Sequence, residues 1–382
     1  MKKYKSGIMC VLLPALVTFT GCRSEDIPET SDSRHPVEFD VEFATRTGET
    51  VKEGPLYDYF IDGRSVILLS QRTNTMSITF DQYIPDPANP GQLIENPNLY
   101  KYVYYTNPSA NWESGFNFRP YNNYDLDWDL IEKNGPLNSE YSLGALYYPV
   151  DYEINNMVQE DQSSYENLLR SNVMGAWHRT NAIRSRLRFK FYHLMAAFRI
   201  TLLIPDWDPQ DNSGFGDNSV QEGRMLNVKK DYTIDWPLNL SSEEPPNPQT
   251  LPDSEPVDLR MYLEPMSNEV ETVNLSTINP DYPDQEERIR RATFVVIFPA
   301  QQPTNDGPAM RFYLKTMGGT ERKYIWYSSQ LTTSSKLDIT RNSITNLILY
   351  LPRTENNAIL IKSYIAPWQD AESEFNVFPD DE

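Results

Sequence analysis

Runs in which every second residue is apolar recur along this chain, and they constrain its fold more than any other feature. Val37, Phe39, Val41 and Phe43 alternate with Glu38, Asp40 and Glu42. A period of two gives a strand one buried and one solvated face, and gives a helix no continuous face at all. Arg64–Ser70 and Ser77–Tyr83 also read as strands, as do the aromatic stretch 99–105 and Ser142–Pro149. The last third returns to strand-like segments at Ala292–Pro299, Met310–Thr316, Lys323–Tyr327, Lys336–Thr340, Ile344–Leu351 and Ala358–Ile365. Residues 85–98 read as a turn-rich loop, and residues 153–172 fit either a short helix or an irregular loop. Short strands separated by turn signals predict an all-β fold built of sandwiches.

Leu187–Ile204 is the strongest apolar run, and its first part alternates, with Leu187, Phe189 and Phe191 inward against Arg188, Lys190 and Tyr192. Polar loops follow it. Ser241–Pro256 is acidic and rich in proline, which lacks the amide proton a ladder needs and so excludes interior sheet positions there. The chain holds 29 prolines and 24 tyrosines against 16 glycines, a balance that fits strands joined by long connections. With roughly 150 residues to a domain, we expect a leader over 1–21, a polar tether over 22–35, and two β-sandwich domains over 36–210 and 211–382. No internal repeat is visible.

The formal net charge is −20, or −23 once Lys2, Lys3 and Lys5 are set aside with the leader. Such a surface repels nucleic acid and anionic headgroups, and no basic stripe offsets it. Nucleic acid is therefore not an expected partner.

The first residues carry a second constraint. Lys2, Lys3 and Lys5 precede an uncharged stretch, Ser6–Gly21, which is the layout of an export signal. It is shorter than the roughly 20 apolar residues a spanning helix needs, and Pro14 interrupts it. Phe19-Thr20-Gly21-Cys22 resembles a bacterial lipobox, with Phe19 where leucine is usual. The resemblance implies that Cys22 takes a diacylglycerol and becomes the first residue of the mature protein. Cysteine usage agrees. The only other cysteine, Cys10, leaves with the leader, and a secreted chain rarely keeps one reactive thiol. At about 0.8 kcal/mol per buried methylene, two or three acyl chains make a lasting anchor where one is marginal. Arg23-Ser24-Glu25-Asp26 resembles the surface-export signal of Bacteroidales lipoproteins and reads equally as part of a flexible tether.

Taken in order, several segments resemble the fimbrillin superfamily of Bacteroidales surface lipoproteins. They are the lipobox, the strand ending in Ala44-Thr45-Arg46-Thr47, and the strand end Leu146-Tyr147-Tyr148-Pro149. The run Phe189–Phe198 follows, then Leu337-Asp338-Ile339-Thr340-Arg341-Asn342, Ile344–Leu351 and Ile365-Ala366-Pro367-Trp368. The likeness spans most of the chain beyond the leader. It implies two β-sandwich domains of transthyretin-like topology and a role as stalk, tip or anchor of a fimbrium at the outer membrane. Partners would then be other fimbrial subunits, joined by strand exchange, with a host protein or glycan receptor beyond them. In the family an arginine-specific protease removes a leading strand. Arg46 stands where such a cut would fall here, or else it ends a permanent strand on an anchor subunit. Phe375, Val377 and Phe378 would suit a donor strand, although the acidic residues around them equally make a frayed tail.

No cofactor or catalytic residue is expected. His35, His178 and His193 are far apart, and none has a metal-ligand neighbour at suitable spacing. His193 reads as a buried histidine bonded to a backbone group. No serine sits in a nucleophile elbow, and Gly318-Gly319 reads as a hairpin turn. Asp125, Asp127 and Asp129 alternate without the glycine of a calcium loop and read as a solvated acidic strand. Residues 99–128 concentrate aromatics. Within them Trp112, Tyr121 and Trp128 are candidate contacts to a glycan or protein partner, the alternative being that they fill a core. A solitary glycan- or protein-binding surface lipoprotein is thus the second reading of the chain.

Overall fold

The computed structural model describes residues 39–43, 75–80, 83–85, 88–89, 92–95, 101–106, 118–120, 141–148, 157–180, 187–210, 214–216, 219–235, 247–266, 269–278, 284–301, 308–330, 339 and 341–368. The first part contributes β1 (Phe39–Phe43), β2 (Thr75–Phe80), β3 (Tyr83–Pro85), β4 (Leu93–Glu95), β5 (Lys101–Thr106), β6 (Phe118–Pro120) and β7 (Tyr141–Tyr148). Helix α1 (Tyr165–Arg170) leads to β8 (Met174–Thr180), β9 (Leu187–His193) and β10 (Ala196–Pro205). Next come β11 (Val220–Lys229), β12 (Tyr232–Asp235), β13 (Asn247–Thr250), β14 (Pro256–Arg260), β15 (Tyr262–Leu263) and β16 (Glu271–Asn274). A single-turn helix α2 (Leu275–Ile278) precedes β17 (Glu286–Phe298), β18 (Pro308–Lys315), β19 (Glu321–Tyr327), β20 (Ser343–Tyr350) and β21 (Ile359–Pro367). The protein is all-β, as the alternation predicts, and no helix among the described residues is long and apolar enough to cross a membrane.

The strands up to β9, apart from the β3–β4 hairpin, form one seven-stranded sheet in the order β1-β9-β8-β7-β2-β5-β6. The remaining strands build a sandwich. Its six-stranded sheet runs β15-β17-β10-β20-β21, with β16 also on β17, and its four-stranded sheet runs β14-β11-β18-β19. The change of sheet falls at Leu194-Met195, inside the apolar run that reads as one unit in sequence and ahead of the division expected after residue 210. The reason is pairing. β10 lies antiparallel to β17 over its whole length, Ala196 opposite Phe298 through Pro205 opposite Ile289, and parallel to β20. Residues before β10 join it too, since Val158, Leu168 and Val173 are part of the sandwich core.

Phe198, Ile200 and Leu202 face the same side as their β17 partners Val296, Phe294 and Ala292, and that side packs on Leu259, Met310, Phe312 and Trp326 of the smaller sheet. Every residue of β20 is buried, as in strands covered on both faces, even though Ser343, Thr345 and Asn346 interrupt its apolar residues. Gly223 lets the sheets meet. A Cβ there would stand 2.9 Å from the Phe294 ring, which in turn lies 5.7 Å from Phe312.

Three sequence expectations change. The polar stretch after β10 contains β11, a ten-residue strand at the centre of the four-stranded sheet. A register shift between Met225 and Val228, with Asn227 at φ 57°, breaks the period of two that would have revealed it. The loop expected over 85–98 includes β4, paired with β3. The undecided stretch 153–172 holds α1, where the Ser164 hydroxyl accepts the Asn167 amide at the N-cap, as a capping serine does. The proline argument for 241–256 fits the pairing. Pro248 lies in a two-stranded ribbon, and Pro256 opens an edge strand. The Arg64–Ser70 strand lies outside the described residues. So does Lys336–Thr340, apart from buried Ile339.

Candidate functional site

Cys22, Arg46, Trp112, Tyr121 and Trp128 lie outside the described residues, as do Asp125, Asp127, Asp129 and the segment holding Phe375, Val377 and Phe378. The strand just before Arg46 is described. β1 lies parallel to β9, with Phe39 opposite Leu187, Val41 opposite Phe189 and Phe43 opposite Phe191. Among the described residues it is the last strand on its side of the seven-stranded sheet. β1 is therefore paired within its own chain, at the position where a strand leaves or joins a sheet with the least disruption of other pairs.

β9 ends in a buried polar knot. The His193 ring is fully buried, its Nδ1 2.8 Å from Oδ1 of Asn172. An amide oxygen only accepts, so this bond takes the tautomer protonated at Nδ1. The partner is thus a side chain, where a backbone group was expected. Burial holds the imidazole well below its ordinary pKa, because the charged form would lose its hydration without an anionic partner. Asn342, at φ 58°, ties three elements together. Its Oδ1 accepts from the His193 amide at 3.2 Å, its own amide donates to Met195 O at 2.8 Å, and its carbonyl accepts from the Trp368 amide at 2.8 Å. The end of β9, the start of β20 and the end of β21 thereby share one residue. Gly318-Gly319 lies in the turn joining β18 to β19, with Gly319 at φ 82°.

The opposite end of β10 carries a charged cleft that the sequence reading missed. Asp206 follows Pro205 directly, and its amide donates to Arg288 O at 2.7 Å. Its carboxylate, 5% exposed, receives Arg290 at 2.5 Å and Arg288 at 2.8 Å. Glu287, also buried, accepts from Arg353 Nε at 2.5 Å and from the Tyr350 hydroxyl. Arg353 links the two acids, because its Nη2 also donates to Asp206 O at 2.8 Å. Gly214, at φ 82°, closes in behind, where a Cβ would stand 2.2 Å from Asp206 O. Above this floor opens a cleft of about 790 Å³, bordered by the segments 206–210, 285–288 and 352–354 together with Leu275 and Tyr350. Little of it was legible in sequence, because Ile289 is the only apolar residue of Glu286–Arg291 and the pairings with Asp206 and Arg353 are far too distant along the chain to read. Among the described residues, no group of three or more His, Cys, Asp or Glu side chains is placed to hold a metal ion.

No protein-family model and no curated protein matches this chain. Solved structures do. A candidate cell adhesion protein from Bacteroides uniformis aligns over 87% of this chain and 99% of its own, at 10% identity and a TM-score of 0.45. The tip fimbrial protein Mfa3 from Porphyromonas gingivalis, truncated at its C-terminus, aligns over 78% of this chain and 96% of its own, at 9% identity and a TM-score of 0.35. The fimbrial anchor protein Mfa2 from the same organism aligns over 87% and 98%, at 8% identity and 0.30. These neighbours are of the kind to which the sequence resemblance points.

Proposed function

We propose that this protein is a cell-surface adhesion subunit, a fimbrial subunit or its anchor, attached to the outer membrane through lipid on Cys22. The observation that supports it most is β1, a leading strand held at the edge of its sheet by pairing on one side to β9, with Arg46 shortly after it. A strand so placed is separable. Its removal would expose the β9 ladder, whose amides and carbonyls would then be satisfied by a strand from a neighbouring subunit. Left in place, it closes the sheet, and the subunit serves as the lipid-held foot. The ordered motifs from the lipobox to Ile365-Ala366-Pro367-Trp368 support the same reading, as does the −20 net charge, which suits a solvated surface protein. No catalytic role forms part of it.

The test is made on surface-extracted native protein. N-terminal analysis reading from Cys22 identifies a permanent foot, and one starting at Thr47 identifies a cut subunit. Mass analysis of the same extract is expected to find acyl chains on Cys22, and mild-detergent gels to show high-mass ladders containing the chain. A protein that carries no lipid and runs only as a monomer, on cells without filaments, would overturn the proposal.

A further inference from the structure

We propose that the cleft over Asp206 and Glu287 is a binding site for a neutral, hydroxyl-rich ligand, a saccharide. Its floor is built of buried charge. Asp206 and Glu287, both nine-tenths or more buried, are fixed by Arg290, Arg288 and Arg353, so the groups beneath the cleft keep their positions without a ligand. Taking such charges out of water is expensive, and each must be fully paired to persist. A network of this kind at a cleft floor gives a rigid array of planar donors and acceptors. The opening of about 790 Å³ lies within the roughly 300–1,000 Å³ usual for small-ligand sites.

The rim sets the class of ligand. Trp207 is partly buried and borders the cleft, and an indole is the kind of apolar group on which the C–H face of a pyranose stacks. Arg288 borders the same cleft. Its guanidinium is held by Asp206, yet its side chain is 61% exposed. Asp208, Gln210 and Glu286 complete the polar border. A vicinal diol accepts from a guanidinium fork and donates to a carboxylate, so it matches both signs at once. A purely anionic ligand meets Asp208 and Glu286 and the strongly negative chain. A purely cationic one meets Arg288 and Arg353. Mixed charge with an aromatic wall therefore favours a neutral polyhydroxylated ligand. Pro209 and Pro352 border the same opening and stiffen its two loops. None of the residues bordering the cleft belongs to β1 or to the Trp112–Trp128 segment, so the proposal stands or falls apart from subunit assembly.

The experiment presents the whole chain to immobilised neutral oligosaccharides of glucose, galactose, mannose, N-acetylglucosamine and fucose. A second set carries uronate or sulfate groups. Binding to at least one neutral member is expected. Trp207→Ala should weaken it about tenfold or more, Trp207→Phe much less, and Arg288→Gln several-fold, since an aromatic anchor dominates such contacts. Thermal melts establish that each variant is folded. Should Trp207→Ala not fold, Arg288→Gln, altered at an exposed side chain, carries the test. The proposal is overturned if no neutral oligosaccharide binds or if only the acidic set binds. It is equally overturned if binding survives both changes, or follows Trp112→Ala and Trp128→Ala instead.

Discussion

The ring of His193 lies flat against the indole of Trp368, centroids 4.0 Å apart and planes within 6°. The two residues belong to different sheets. His193 closes β9, next to the β1 edge, and Trp368 follows β21 at the end of the sandwich. Both are fully buried. The stack therefore fastens the strand that carries β1 to the last described residue of the chain.

Trp368→Ala removes one of the largest fully buried side chains and the cover of the His193 ring. Such a truncation costs about 3–5 kcal/mol when the site cannot collapse. The urea midpoint should fall accordingly, while Trp368→Phe, which keeps an aromatic face, should recover a good part of the loss.

The buried imidazole makes stability depend on pH. Its folded pKa lies below the unfolded value of 6.5, so the unfolded chain takes up the proton first. Stability contributed by the neutral ring is complete above the unfolded pKa. It declines as pH falls from there toward the folded pKa, by at most about 1.4 kcal/mol per pH unit. His193→Gln keeps a polar group without a titration. Urea midpoints compared between about pH 7.5 and pH 5 should fall more steeply in the native chain than in this variant, the unperturbed pKa lying between. Equal slopes would mean that His193 is not the group responsible.

The sheet packing is tested at Gly223. A methyl group there would press on Phe294 at 2.9 Å, and overpacking of this kind costs about 1–3 kcal/mol. Gly223→Ala should destabilise, and adding Phe294→Leu should restore part of the loss. The double variant would then be more stable than the sum of the single changes allows.

How much of this was legible in the sequence depends on which faces are buried. β17, β18, β19, β20 and β21 were all visible as strands, although Glu286–Arg291 at the start of β17 was not, because charged residues mask its alternation. Leu187–Ile204 was visible as strand and not as two strands. Both faces of β10 are largely covered, so nothing in its composition marks where one sheet gives way to the next. β11 was hidden by its bulge at Asn227. His193 was legible as buried, and its partners were not. Asn172, Asn342 and Trp368 reach it across three sequence-distant segments, a proximity only the folded chain supplies. The cleft was hidden for the same reason, since Asp206 meets Arg290 and Glu287 meets Arg353 across most of the sandwich sequence.

That cleft yields the last prediction. Asp206 holds Arg288 and Arg290 on a carboxylate only 5% exposed. Asp206→Asn keeps the shape and removes the charge, taking this carboxylate from Arg290, itself 14% exposed. Breaking a buried pair from one side costs about 3–5 kcal/mol, because the remaining ion stays desolvated. Arg288→Gln breaks the other arm of the same carboxylate. That arginine is 61% exposed, so solvent screens the pair and its loss should cost no more than about 1 kcal/mol. Thermal unfolding of the two variants side by side should separate them clearly. Similar losses would mean that Asp206 is hydrated in the folded protein and that the floor of the cleft is softer than its geometry implies.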